Sequence, residues 1–189
     1  DTPSTPEILA KIPLLTREDI DKKAETFFWT EKEEDGIKVL HHNFFTSGIG
    51  YLKVLFNTSV LPQEDLPYAG LLKSVLGSIS TEHYSYSDLT SEIHLNSGGM
   101  DFSVTSYANL QDAEQFTGAF VASIRVLYDK LDFGFTMLEE ILNHSVFTDE
   151  KRLGEVIQET RSRARMKLEN AGHSTAVSRA TTYFSATAH

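Results

Sequence analysis

The sequence predicts an α+β fold: an antiparallel or mixed sheet with helices packed on one face, in the order β-β-α-α-β-β-α-α-α. Three observations predict it. Four stretches alternate apolar and polar residues with the period of a half-buried strand. Several others repeat apolar residues at i, i+3, i+4 and i+7, which lays one apolar stripe along a helix. The strands come in adjacent pairs separated by helices, the arrangement of hairpins covered on one side. With 189 residues, 40% of them hydrophobic, the chain is long and apolar enough to bury a core.

Residues 1–36 are expected to be a lead-in linker, and residues 37–189 a single α/β domain. Asp1-Thr2-Pro3-Ser4-Thr5-Pro6 is rich in chain-breaking residues, and Ile12-Pro13-Leu14-Leu15 is an extended apolar strip. Thr16 is placed to cap a short helix with Glu18 and Asp19 in its first turn. Glu31-Lys32-Glu33-Glu34-Asp35-Gly36 is expected to be a solvated, charged turn. Strands are expected at Ile37–Phe45 and Tyr51–Thr58, joined as a hairpin through Thr46-Ser47-Gly48-Ile49-Gly50. The glycines there lack the third glycine and the following helix of a phosphate loop, so a turn is the reading.

Tyr68, Leu71, Leu72, Val75, Leu76 and Ile79 then mark one face of a helix, with Pro67 in its first turn. A second helix is expected to begin at a cap, Ser87, and to end before Gly98-Gly99. Strands follow around Phe102–Thr105 and over Phe116–Val126, with a turn at Asn109–Asp112. Leu131, Gly134, Phe135, Leu138, Ile141 and Leu142 share the face of a third helix. Thr148 is placed to cap a fourth, whose buried stripe is read as Leu153, Val156, Ile157, Thr160, Ala164 and Leu168. A break at Asn170-Ala171-Gly172 precedes a last helix from Ser174, with a helical pattern continuing to His189. A linker at one end and an unfinished helix at the other mark the chain as an expected piece of a larger protein.

Composition narrows the chemistry. There is no cysteine, which excludes disulfides, a thiol nucleophile and thiolate metal ligands, and fits a reducing compartment. The net charge is −10, and residues 57–116 hold eight acids against the single base Lys73. Such a surface disfavours nucleic acid as a partner. No apolar run reaches the roughly 18 residues of a membrane span, and Asp1-Thr2-Pro3 has none of the features of a signal peptide.

The seven histidines do not form a metal motif. His41 and His42 are adjacent on a predicted strand and point to opposite faces. No pair has the i, i+4 spacing of one helical face, and neither H-E-x-x-H nor H-x-x-E-H occurs. His144 reads as a favourable charge at a helix C-terminus. No G-x-S-x-G, phosphate-loop or S-x-x-K pattern is present. Glu155 and Glu159 are helical neighbours, and Arg161, Arg163, Arg165 and Lys167 follow on the same helix as a solvated or interface face. The residues thus give no self-contained catalytic constellation, and no cofactor is called for.

Several phrases, in order and spacing, resemble a known family. They are Ile12-Pro13-Leu14-Leu15-Thr16-Arg17-Glu18-Asp19-Ile20, His41-His42-Asn43-Phe44-Phe45-Thr46-Ser47-Gly48-Ile49 with Tyr51-Leu52, and Leu61-Pro62-Gln63-Glu64-Asp65-Leu66-Pro67-Tyr68. Ser97-Gly98-Gly99, Ala171-Gly172-His173 and Arg179-Ala180 complete the set. The chain resembles the start of the second half of presequence-protease-like metallopeptidases of the pitrilysin/insulinase superfamily. The resemblance implies the LuxS/mitochondrial-processing-peptidase-like metallohydrolase fold and a place as the third of four related domains in a clamshell. Zinc, held by an H-x-x-E-H motif and a distal glutamate, would belong to the first domain, in the missing catalytic half.

On this resemblance Gly70, Lys73 and Ser74 stand where the motif's ligands and catalytic glutamate would be, and Glu159 stands at the place of the distal glutamate. Glycine offers no ligand and lysine repels a cation, so the fragment is expected to hold neither zinc nor a catalytic residue. The implied role is a non-catalytic wall of a chamber that degrades unfolded peptides. Its partners would be the other domains of the same chain and the peptide substrate of the whole enzyme. Glu82, Asp88, Glu92 and Asp101 are candidates for facing cationic peptide. An assembly module of the same fold, without a peptidase role, is the alternative. A free-standing hydrolase built on His83, His94 and Asp88 is a weaker one. The implied compartment is the bacterial cytoplasm, with an organellar matrix the other option.

Overall fold

The computed structural model describes residues 5–20, 22–23, 26–112, 114–185 and 187. The chain forms two compact units, Asp1–Phe45 and Thr46–His189.

In the first unit, one helical turn, α1 (Pro6–Leu9), precedes a tight turn at Arg17–Asp19. The Asp19 carboxylate accepts hydrogen bonds from the Thr16 backbone N–H at 2.8 Å and from its hydroxyl at 2.9 Å. These bonds hold the Asp19 carboxyl below its usual pKa. Two strands follow, β1 (Thr30–Glu34) and β2 (Ile37–His41), paired antiparallel with Glu34 opposite Ile37. The charged run expected to be a turn is therefore mostly a strand. Its turn is confined to Asp35 and Gly36, whose φ angles of 51° and 78° are those of a two-residue hairpin. Lys38 reaches diagonally across to Glu31 at 2.7 Å, so the charges support the pairing instead of opposing it.

The hairpin expected between residues 37–45 and 51–58 does not form. A turn is present, with the Ile49 N–H bonded to the Thr46 carbonyl at 3.1 Å. Yet β2 is already paired to β1, and β3 (Ile49–Asn57) pairs with a strand far along the chain. Local turn chemistry fixes a bend, not the partner of the strand that leaves it.

The second unit contains β3, α2 (Leu66–Val75), α3 (Tyr86–Asn96), β4 (Met100–Ala108), β5 (Phe116–Leu127), α4 (Leu131–His144), α5 (Glu150–Asn170) and α6 (Gly172–Thr181). This is an α+β arrangement with antiparallel pairing throughout. The sheet order is β3-β5-β4, so the last strand in sequence lies in the middle. Leu52 sits opposite Ile124, and Val54 and Phe102 flank Ala122 from either side. Those positions share one face with Phe120 and Val126. Leu89 and Ile93 of α3 and Met137, Leu138 and Ile141 of α4 join them in the principal core. The opposite face carries Tyr51, Arg125 and the row Lys53–Ser123–Asp101.

Several helix limits differ from the sequence expectation. α2 stops at Val75, not Ile79, because Gly77 takes a φ of 75° and ends the helical path. The apolar stripe nevertheless continues inward: Val75, Leu76 and Ile79 are buried, whereas Tyr68 is exposed. Ser85, not Ser87, caps α3, accepting from the Asp88 N–H at 3.2 Å. Asp149, not Thr148, caps α5, accepting from the Arg152 N–H at 2.9 Å. Each true cap lies where its side-chain oxygen reaches the N–H three residues on.

The stripe on α5 is buried only near its start. Val156 packs with Val75 and Ile79 of the α2 segment, flanked by Leu71 and Leu153, while Ala164 and Leu168 are exposed. The helix expected to run toward His189 ends at Thr181, and residues 186, 188 and 189 lie outside the described ones.

Candidate functional site

The packing of α2 on α5 builds a groove of about 660 Å³, bounded also by α3 and β4. Lys73 and Ser74 enter it from the last turn of α2, and Glu159 and Arg163 from successive turns of α5. His94 of α3 and Asp101 of β4 line the other side. Three of the four positions singled out in the sequence thus meet across one groove. The fourth, Gly70, lies one turn earlier on α2 and does not line it; a Cβ there would meet nothing within 4 Å.

The motif positions that line this groove, Lys73, Ser74 and Glu159, do not make a zinc donor set. Lys73 contributes a positive charge and Ser74 a weak neutral oxygen. Glu159, more than half exposed, is engaged by Arg163 one turn along α5. Among the described residues, no group of three or more histidines or acids is arranged to hold a metal ion.

The candidate peptide-facing acids are not brought together. Asp101 lines the groove. Asp88 accepts from the Ser85 hydroxyl at 2.7 Å in the cap of α3, and Glu92 accepts from Asn96 at 3.0 Å. Glu82 pairs with His144 at 3.1 Å. The three residues of the free-standing hydrolase reading are likewise spread out. His94 faces the groove, Asp88 belongs to the cap, and His83 pairs with Glu140. Among the described residues no hydrogen bond or ion pair joins them.

A second polar cluster, not anticipated from the sequence, lies between the α2–α3 connection and the end of α4. Glu140 is a buried acid, 8% exposed. Its carboxylate lies 2.9 and 3.1 Å from His83 Nδ1 and 3.4 Å from the His83 backbone N–H. Burial alone raises its pKa; hydrogen bonds from Thr81 and His83 and the charge of His83 outweigh this and hold it below the usual value. The His144 ring stands edge-on to that of His83, with centroids 5.4 Å apart. No sequence signal announces this cluster, because its members are separated by some 60 residues and meet only through the fold. A smaller groove of about 450 Å³, lined by Tyr51, Leu95, Arg125 and Lys130, holds none of the candidate motif positions or peptide-facing acids.

Comparison with known proteins places the chain. The family described as "Peptidase M-16C associated" matches residues 1–189, the whole sequence. The chain belongs to this family. Relatives of this peptidase-associated chain agree with the pitrilysin/insulinase resemblance in its presequence-protease branch. Protein HypA of Clostridium perfringens is 37% identical over 182 residues, covering 96% of this chain and 19% of the relative. Presequence protease 1, chloroplastic/mitochondrial, of Arabidopsis thaliana is 28% identical over 95% of this chain and 16% of its own length. Mitochondrial presequence protease of Drosophila melanogaster is 25% identical over 68% of this chain and 12% of its own length. The peptidase-associated chain therefore spans less than a fifth of the length of these relatives. Among its described residues no helix is long and apolar enough to cross a membrane.

Proposed function

We propose that this peptidase-associated chain is a non-catalytic domain of a zinc-dependent peptidase that degrades unfolded peptides. It forms part of the wall of the peptide chamber and packs on a sister domain of the same fold. Zinc is held elsewhere, in the catalytic half of the parent protein. The partners are the other domains of that protein and its peptide substrate, in the bacterial cytoplasm or an organellar matrix.

The observation that carries this reading is the groove between α2 and α5. It brings Lys73, Ser74 and Glu159 together as a motif helix and a distal glutamate would be brought together, but with side chains that do not fit zinc. On this reading the helix-on-helix frame of a metal site is kept while its chemistry is replaced. The names of the relatives, presequence proteases among them, support a peptidase as the parent.

The test is peptide hydrolysis by the isolated chain and by the parent protein, each with zinc supplied. The isolated chain is expected to show none. Lys73→Ala and Glu159→Gln in the parent are expected to leave kcat unchanged. Chelator-sensitive hydrolysis by the isolated chain that disappears in Glu159→Gln would overturn the reading.

A further inference from the structure

We propose that His83 and His144 form a binding site for one divalent transition-metal ion of the imidazole-preferring kind, held through the two Nε2 atoms. This site is separate from the groove and does not depend on the reading above.

Each ring presents its Nδ1 to a carboxylate. A ligating imidazole commonly gives its other ring nitrogen to a carboxylate, which fixes its tautomer and orientation. Here Nδ1 of His83 lies 2.9 Å from Glu140, and Nδ1 of His144 lies 3.1 Å from Glu82. In the neutral tautomer with the proton on Nδ1, each Nε2 carries a lone pair that a metal ion can take. Among the described residues neither Nε2 makes a hydrogen bond.

The spacing suits a shared ion. Two imidazoles on one tetrahedral centre, with metal–nitrogen bonds of about 2.0–2.1 Å, place their ring centroids roughly 5 Å apart. The observed separation is 5.4 Å, with the planes at 73°. With side chains 61% and 34% exposed, both rings can be reached from solvent.

The backbone holds the two parts of the site together. Glu82 N–H bonds to the carbonyl of His144, and Val146 N–H to the carbonyl of Ser80, each at 2.9 Å. Thr81 and Ser145 form a β-bridge between these bonds. The local charge also favours a cation. His144 ends the 14-residue helix α4, at the negative end of its dipole, and Glu82 and Glu140 stand behind the rings. The protein supplies two ligands and water the rest, so binding is exchangeable, and nitrogen-preferring ions such as Zn²⁺, Ni²⁺ or Cu²⁺ are favoured over Mg²⁺ or Ca²⁺.

Calorimetric titration of the 189-residue protein with zinc chloride at neutral pH tests this. One equivalent is expected to bind, and His83→Gln or His144→Gln to weaken that step at least about tenfold. Glu82→Gln is expected to weaken it by about 10-fold, as for other carboxylates behind a ligating histidine. His94→Gln should leave it unchanged. In the unsubstituted protein, zinc is expected to shift the ring-proton NMR signals of His83 and His144 together. Absence of those shifts, or an unaltered isotherm in the folded His83→Gln/His144→Gln double variant, would overturn the proposal.

Discussion

Gly134 of α4 lies directly against Leu52 of β3: a Cβ added at Gly134 would come within 3.1 Å of the Leu52 Cδ1 atom. It would also stand 3.3 Å from Val126 on the neighbouring strand. The absence of a side chain is what lets α4 approach the sheet closely and bury Met137, Leu138 and Ile141 on it. Gly134→Val is therefore expected to overpack this contact and lower the unfolding free energy by about 1–3 kcal/mol. Urea denaturation followed by circular dichroism measures it, and an unchanged midpoint would contradict the close approach.

Ile141 is fully buried between α4 and the sheet, in the core cluster that includes Leu89, Ile124 and Met137. Ile141→Ala removes buried methylenes and leaves a cavity, at a cost of about 2–5 kcal/mol. Truncation to alanine at Leu95, 77% exposed on α3, is expected to cost far less. Paired denaturation curves of the two variants check the difference.

The Asp35-Gly36 turn makes a separate prediction for the first unit. Gly36 has a φ of 78°, where a Cβ costs about 1–2 kcal/mol even though nothing stands in its way. A two-stranded hairpin has little stability to spare. Gly36→Ala is expected to reduce the cross-strand NOEs between β1 and β2 while leaving the second unit's thermal transition in place.

Asp19 should titrate below its usual value of 3.8, because the Thr16 backbone and hydroxyl bonds favour the charged form. The sign follows: with the folded pKa depressed, the turn's stabilisation is complete above the unfolded value and is lost as pH falls through the folded one. An NMR titration of the Asp19 carboxyl, with the Thr16 amide shift as reporter, measures it. A midpoint at or above the usual value would contradict the bonding.

Much of the fold was legible because strands and helices write their burial into a local period. The alternation of Phe116 to Val126 identified β5, and the spacing of Leu131, Leu138 and Ile141 identified α4. Glycine at Gly172 marked the boundary between the last two helices. Failures arose where two local signals competed. The charges of Glu31–Asp35 hid a strand whose Asp-Gly turn was present in the sequence, and Gly77 cut short a helix whose apolar stripe ran on.

The candidate site was legible in part. A likeness in the order of phrases pointed to Lys73, Ser74 and Glu159, yet nothing local says that α2 and α5 share a groove. The His83–Glu140 and His144–Glu82 pairs left no trace at all, since neither histidine has its partner at helical or strand spacing.

The sequence by itself determined the family, the α+β class and the absence of thiol chemistry, all of which are properties of residue type and local order. Only the tertiary structure decided which strands pair, which acids line the groove and which histidines meet. Each of those depends on contacts between residues far apart in the chain. Their geometry is set by the burial of the β5 face beneath α3 and α4, not by any short stretch of sequence.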